Sequence, residues 1–188
     1  ARAHNLPVSD KKDSTGICFI GNQKFDEFIT QHLQAIPGDI IDENGKVIGK
    51  HKGLVCYTLG QRKGIGLGGL KGNESENNTH KPWFVAAKDV INNTLTIVQD
   101  TNHPLLMSKN VEAKQMHWVL EVAPKVGDKL MAQVRYRQQK QACTVVEARD
   151  EKVVVEFDNP QRAVTLGQSL VLYSGDYCLG GGFISFYK

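Results

Sequence analysis

Cys18 is the first residue of this chain whose type and setting could do chemistry. It lies in the segment DSTGICFIG (13–21), directly after two lysines, and glycines bound the segment on both sides of the cysteine. The glycines permit a tight backbone path that would hold the thiol at a defined point. The lysines would favour the nucleophilic thiolate if they lie close in space. Because Cys18 stands between isoleucine and phenylalanine, the residues alone equally allow a small buried core side chain.

A glycine-rich segment, Gly64–Gly69, formally matches the G-x-G-x-x-G pattern of dinucleotide sites. That pattern requires a helix directly after the glycines, with its N-terminus facing the pyrophosphate. A polar loop over residues 70–81 follows instead, so we exclude a dinucleotide site. Arg62 and Lys63 precede the glycines and could contact RNA phosphates. A simple turn between a strand and a loop is the alternative.

Arg135 and Tyr136 stand near the end of an alternating segment, residues 129–137. A guanidinium binds phosphate and a tyrosine ring stacks on an unpaired base, so the pair suits RNA. Strand alternation also places Tyr136 on the same face as Val134, which would make it an inward-facing core residue. Both interpretations remain open from the residues alone.

The other three cysteines show no pattern of a chemical site. Cys56, Cys143 and Cys178 lie in apolar or strand-like contexts, and we expect structural roles for them. No two cysteines have C-x-x-C spacing, and no cysteine or histidine stands at zinc-ligand spacing, so no metal site is predicted.

The elements that must position these residues begin with one helix. Apolar residues recur at helical spacing over residues 22–35, and Pro37-Gly38 should end the helix. Short strands follow: a hairpin around Asn44-Gly45 with a type I′ turn, a strand over 53–59, and a hairpin formed by 83–87 and 94–98. Residues 104–107 are either a linker or a short packing segment.

From about residue 109, strands recur at roughly ten-residue spacing with no helix between them. This pattern is typical of a small antiparallel barrel, and the glycines of residues 178–182 should bend a strand at a barrel corner. The predicted fold is therefore mainly β with one N-terminal helix, and has a small mixed central domain followed by an antiparallel β-barrel. The predicted strands lie at residues 129–137, 143–148, 152–157, 169–173 and 183–186.

The composition is that of an ordinary globular protein. The chain has 188 residues, of which 40% are hydrophobic and 23% charged, and its net charge is +3. The charge permits nucleic-acid contact without arguing for it, because the basic residues are dispersed. No run approaches 18 apolar residues, so no membrane span is predicted.

Four sequence segments in one order resemble the tRNA-specific 2-thiouridylase family: DSTGICFIG, GLVCYTLGQRKGIGLGG, RYRQ and AVTLGQSLVLYSGDYCLGGG. The resemblance covers essentially the whole chain. Enzymes of this family begin with an ATP-pyrophosphatase domain that carries a phosphate loop and a first catalytic cysteine, and neither is present here. The resemblance therefore implies a C-terminal fragment with three parts: the tail of the catalytic domain (1–21), a central domain (22–108) and a C-terminal barrel (109–188).

The resemblance also assigns roles to individual residues. Cys18 aligns with the cysteine that carries a persulfide, and the family's Arg-Tyr pair, which contacts tRNA, matches Arg135 and Tyr136. The glutamine of the family's T-P-G-Q-S motif, also a tRNA contact, matches Gln168. Leu166 replaces the usual proline of that motif, which predicts a less rigid turn.

The implied activity is ATP-dependent transfer of sulfur to C2 of the wobble uridine of Lys, Glu and Gln tRNAs. ATP, bound in the missing domain, would activate the base, and a persulfide donor protein would supply the sulfur. The sulfur would attack C2 either directly from the Cys18 persulfide or after its release as sulfide by the missing cysteine. The resemblance implies a cytoplasmic enzyme whose isolated fragment is inactive, and a possible disulfide between Cys18 and the missing cysteine. Two alternatives stay open: a non-catalytic RNA-binding barrel module, and a sulfur-relay protein that never contacts RNA.

Overall fold

A computed structural model of the protein describes residues 25–67, 81–119, 123–149 and 151–188. The chain forms two compact units, residues 1–34 and 35–188. The described residues of the first unit hold one helix, and those of the second unit hold ten strands in two sheets. The predicted fold class, mainly β with one N-terminal helix and a small mixed central domain followed by an antiparallel β-barrel, is confirmed.

The helix α1 runs over Phe25–His32, and the rings of Phe28 and His32 lie one turn apart with centroids 4.6 Å from each other. The last helical bond joins the amide of Leu33 to the carbonyl of Ile29. The prediction that the helix continues to residue 35 was therefore wrong. Leu33 is half exposed, so no buried apolar face extends the helix beyond this turn.

The first sheet contains β1 (Gly38–Ile41), β2 (Val47–His51), β3 (Phe84–Asp89) and β4 (Thr94–Val98), in the order β2-β1-β4-β3. β1 and β4 are parallel and the other neighbours are antiparallel, so the sheet is mixed, and the predicted β3–β4 hairpin is confirmed. Alternate residues of these strands point to one side and are buried, because successive side chains of a strand point to opposite faces. The fully buried set includes Ile40, Val85, Leu95 and Ile97.

The β1–β2 hairpin has a different turn from the predicted one. Gly45 has a φ of 81°, but Asn44 is not in the positive-φ region that a type I′ turn requires at both positions. The amide of Gly45 donates to the carbonyl of Asp42 (3.1 Å), and the Asp42 carboxylate accepts the amides of Asn44 and Lys46 (both 2.9 Å). These bonds close the five-residue connection between the two strands, in which Gly45 takes the left-handed conformation.

The segment after β2 is not the predicted strand over 53–59. Gly53 has a φ of 138°, and a short 3₁₀ helix follows at Leu54–Cys56. The buried ring of His51 fixes the bend, because its Nδ1 accepts the Gly53 amide and its Nε2 donates to the Asn93 carbonyl, both at 3.0 Å. Residues 104–107 contain a second 3₁₀ helix, Pro104–Leu106, whose buried Leu106 makes the segment a packing element.

The second sheet is a closed antiparallel barrel of six strands. Its core contains the fully buried Phe157, Leu170 and Leu172. In chain order the strands are β5 (Met107–Trp118), β6 (Lys129–Gln133), β7 (Gln141–Arg149), β8 (Lys152–Arg162), β9 (Ser169–Ser174) and β10 (Tyr177–Tyr187). Around the barrel their order is β10-β5-β8-β7-β6-β9.

The predicted glycine kink is present in β10. The register shifts between Cys178 and Gly180, and a Cβ at Gly180 would lie 2.2 Å from the carbonyl oxygen of His117. Only glycine allows this close approach of two backbones.

The three cysteines in the described part of the chain are not in disulfides. Cys56 and Cys143 are buried, and burial raises the pKa of Cys143 to about 11. Cys178 is exposed, so it does not pack in the core as its expected structural role would require. Within the described residues, no helix is long and apolar enough to cross a membrane.

An ion-pair cluster on the barrel predicts a dependence of stability on pH. The Glu112 carboxylate accepts the Ser185 hydroxyl (2.8 Å) and pairs with Lys152 (3.1 Å), and these contacts lower its pKa below the ordinary 4.5. A carboxyl with a lowered folded-state pKa stabilises the fold above its unfolded-state pKa. That contribution is lost as the pH falls through the lowered value.

We therefore expect Glu112→Gln to lower the melting temperature at neutral pH and to flatten its fall on acidification. Thermal melts between neutral pH and about pH 3 measure both effects. The matched control is Glu151→Gln at an exposed turn residue. An equal acid dependence in wild type and Glu112→Gln would contradict the prediction.

Candidate nucleic-acid interface

The turn that follows β6 places Tyr136 in solvent. β6 ends at Gln133, and Val134 is still buried. The chain then turns, with the Gln138 amide donating to the Arg135 carbonyl (3.2 Å). Tyr136 is 80% exposed, so the interpretation of this residue as inward-facing core was wrong.

The side-chain amides of Gln138 and Gln161 hold this turn in place. The Gln138 Oε1 accepts the amide of Val134 at 2.9 Å, where the next strand bond would otherwise form. The Nε2 of Gln138 donates to the Oε1 of the buried Gln161 at 2.7 Å. The turn is thereby fixed, and it presents the Tyr136 ring in a defined place.

The exposed ring of Tyr136 lies beside a cation. The guanidinium carbon of Arg137 stands 5.3 Å from the ring centroid, within the range of a cation–π contact. A tyrosine of this exposure has a ring face able to stack on an unpaired base, and a neighbouring guanidinium suits a phosphate.

Arg135 points away from solvent, across the barrel end. Its Nη2 donates to the carbonyl oxygens of Ala163 (2.6 Å) and Leu59 (3.2 Å). The guanidinium is half-buried, and burial together with the charge of Arg162 lowers the pKa of Arg135. The ordinary value of an arginine is so high that the group stays charged.

Arg162 adds a second cation to this place. Its Nε donates to the Thr101 carbonyl (2.8 Å), and its guanidinium lies 5.1 Å from the Phe84 ring centroid. Among the described residues, neither Arg135 nor Arg162 forms a salt bridge with a carboxylate. Two guanidinium charges therefore stand near each other without a neutralising partner in the described part of the chain.

Gln168 lies in a turn between β8 and β9 and is exposed. The Gly167 amide donates to the Ile184 carbonyl (2.9 Å), and the Ile184 amide donates to the Gln168 carbonyl (2.7 Å). Gly167 has a φ of 79°, which glycine adopts without strain. These bonds hold the turn although Leu166 stands where the family motif has proline.

Arg62 and Lys63 lie in a loop that its own side chains hold in place. The Gln61 Oε1 accepts the Thr58 amide (2.9 Å), and the Gln61 Nε2 donates to the Lys63 carbonyl (2.8 Å). Both basic residues are exposed, so phosphates can reach their charges.

The structure brings most of the predicted RNA contacts to one end of the barrel. Arg135 contacts the carbonyl of Leu59, and the loop that contains Lys63 begins directly after Leu59. It also contacts the carbonyl of Ala163, which lies directly before the turn that contains Gln168. Cys18 lies outside the described residues. Sequence reasoning missed Arg162, because no motif contains it and only the tertiary fold places it beside Arg135.

Two family models match the chain in consecutive ranges. Residues 26–99 match the "tRNA methyl transferase PRC-barrel domain" and residues 108–184 match the "Aminomethyltransferase beta-barrel domain". All 188 residues align at 95% identity with "tRNA-specific 2-thiouridylase MnmA 2" of Aliarcobacter butzleri, over 51% of that protein. The chain belongs to the tRNA-specific 2-thiouridylase family.

A more distant family member supports the same assignment. "tRNA-specific 2-thiouridylase MnmA" of Francisella tularensis is 50% identical over 184 residues, which are 98% of this chain and 50% of that protein. The chain thus spans about half the length of the 2-thiouridylases it matches. In this chain, Arg62 and Lys63 lie in the range of the first family model, and the other predicted tRNA contacts lie in the range of the second.

Proposed function

We propose that this chain is the central and barrel part of an ATP-dependent tRNA 2-thiouridylase, which places sulfur on C2 of the wobble uridine. The observation that carries the proposal is the 95% identity, over all 188 residues, with a protein named tRNA-specific 2-thiouridylase. At such identity, two chains share their fold and nearly all of their surface chemistry.

The barrel end supports a tRNA-binding role for this part of the enzyme. Exposed Tyr136 offers a ring for stacking, and Gln168 offers an amide for hydrogen bonds. Arg62 and Lys63 offer charges for phosphates. A target base in an anticodon loop is already outside a duplex, so extruding it costs less than in paired RNA.

We propose that Cys18 carries the transferred sulfur as a persulfide. ATP adenylates O2 of the uridine and releases pyrophosphate, which makes AMP the later leaving group. A second cysteine of the longer protein attacks Cys18 in its persulfide form, so a disulfide forms and hydrosulfide is released. The hydrosulfide attacks C2, the C2–O2 bond breaks and AMP leaves, while an external thiol reductant restores the disulfide to two thiols.

The partners and the cellular compartment follow from this chemistry. The substrates are ATP and the Lys, Glu and Gln tRNAs, and a persulfide-bearing protein delivers sulfur to Cys18. The reduced thiols that this cycle needs between turnovers fit the cytoplasm.

Reconstitution tests the proposal directly. Full-length protein, ATP, a sulfide source and unmodified tRNA transcripts are incubated, and 2-thiouridine is measured by mass spectrometry after digestion. We expect product with Lys, Glu and Gln transcripts, and none from the 188-residue chain by itself. Product from this chain by itself would contradict the need for the rest of the enzyme. Tight tRNA binding by the full-length protein without product would favour a non-catalytic RNA-binding module.

A further inference from the structure

We propose that Arg135 is a positioning residue, whose guanidinium fastens the loop carrying Arg62 and Lys63 to the barrel end that presents Tyr136 and Gln168. This inference rests on the proposed function, because the surface so assembled is taken to bind tRNA. It assigns Arg135 a role different from the direct tRNA contact that the family resemblance implies.

The contacts of Arg135 join two parts of the chain that are far apart in sequence. Leu59 and Ala163 are separated from Arg135 by 76 and 28 positions, and both belong to the buried cluster under the mixed sheet. One charged donor therefore forms hydrogen bonds with two carbonyls where the mixed sheet meets the barrel. We call this contact, formed by Leu59, Gly60, Arg135 and Ala163, the seam. Hydrogen bonds from a charged donor are stronger than those between neutral groups.

The seam is packed too closely for any side chain at Gly60. A Cβ there would lie 2.8 Å from the Ala163 Cβ and 3.0 Å from the Arg162 Nη1. The Gly60 amide also donates to the Val85 carbonyl (2.8 Å), and the Val85 amide donates to the Gln61 carbonyl (3.0 Å). The loop is thus held by β3 on one side and by Arg135 on the other.

The different roles of Arg135 and of the pair Arg62 and Lys63 follow from their different exposure to solvent. Arg135 is half-buried with its Nη2 directed at two carbonyls, whereas Arg62 and Lys63 are exposed. Phosphate contacts set the register of an RNA on a protein, so the two exposed cations are useful only at a constant distance from the stacking ring. Arg135 keeps that distance constant by holding the loop against the barrel.

A double-mutant cycle on tRNA binding tests the role. Full-length protein binds a fluorescent, unmodified Glu tRNA transcript over a salt series, in four forms: wild type, Arg135→Met, the pair Arg62→Ala/Lys63→Ala, and all three changes. We expect Arg135→Met to weaken binding about tenfold alone, but less than about threefold when Arg62 and Lys63 are already gone. The slope of log binding constant against log salt concentration should fall in magnitude by about two in the Arg62→Ala/Lys63→Ala variant. Loss of a single phosphate contact lowers this slope by about one. Arg135→Met should lower it by more than that, because both cations of the loop are then misplaced.

Two glycine variants that change no charge test the same role if Arg135→Met does not fold. Gly60→Ala should displace the loop from the barrel, because the added Cβ would lie 2.8 Å from the Ala163 Cβ, and should weaken tRNA binding as Arg135→Met does. Gly66→Ala is the matched control, because Gly66 has a similar φ (83° against 78°) but no atom of a described residue within 4 Å of an added Cβ. Circular dichroism establishes that each variant is folded.

Three outcomes would overturn the role. Additive losses in the cycle would make Arg135 an independent tRNA contact, and equal binding by the two glycine variants would separate the seam from RNA binding. Absence of tRNA binding by the unchanged protein would overturn the proposed function itself, and this role with it.

Discussion

Replacement of Cys18 by serine in the full-length protein is expected to lower 2-thiouridine formation at least about a hundredfold, because a serine hydroxyl cannot hold a persulfide sulfur. The measurement is mass spectrometry of nucleosides from digested bulk tRNA, in cells without another tRNA 2-thiouridylase. Protein levels are compared by immunoblot, so that loss of the enzyme is not mistaken for loss of chemistry.

Cys178→Ser is the matched control, since Cys178 is the exposed cysteine among those that the structure describes. It should leave the 2-thiouridine level unchanged. Retention of 2-thiouridine in the Cys18→Ser strain would make Cys18 a structural thiol and would favour the RNA-binding module over the enzyme.

The change Tyr136→Ala should weaken tRNA binding by roughly 5- to 150-fold, since stacking of a base on an aromatic ring contributes about 1–3 kcal/mol. Stability should change little, because the side chain is 80% exposed. Fluorescence anisotropy with an unmodified tRNA transcript gives the affinity, and a thermal melt gives the stability.

Two further tyrosine variants make this prediction specific. Tyr136→Phe keeps the ring and should retain most of the affinity. Tyr177 is 78% exposed but pairs with Ser174, at the opposite end of β9 from Ser169 and the Gln168 turn. Tyr177→Ala should therefore bind tRNA as the wild type does. Equal losses for Tyr136→Ala and Tyr177→Ala would show a general surface effect instead of a stacking site.

The strands of the barrel could be predicted because alternation of apolar and polar residues is a local property. The predicted segments 143–148, 152–157 and 169–173 all fall inside observed strands, and the glycine kink of β10 was recognisable from its composition. The strand over 53–59 was wrong because the bend at Gly53 depends on His51, whose ring is held by Asn93 from another part of the sheet.

The residue types of the candidate site could be selected for the same local reason. Arginine, tyrosine and glutamine are recognisable RNA-binding side chains wherever they occur in a motif. Strand alternation nevertheless predicted an inward-facing Tyr136, because the alternating pattern does not show at which residue a strand ends. β6 ends at Gln133, where the Gln138 side chain takes the amide of Val134.

The sequence by itself determined the mainly β class, the barrel and the membership of the tRNA-specific 2-thiouridylase family, since local periodicity and ordered motifs encode all three. Only the tertiary structure decided that Tyr136 faces solvent and that Arg135 joins Leu59 to Ala163. The physical reason is that these contacts span 76 and 28 residues. Closure of the barrel against the mixed sheet brings such residues together, and no local pattern records that approach.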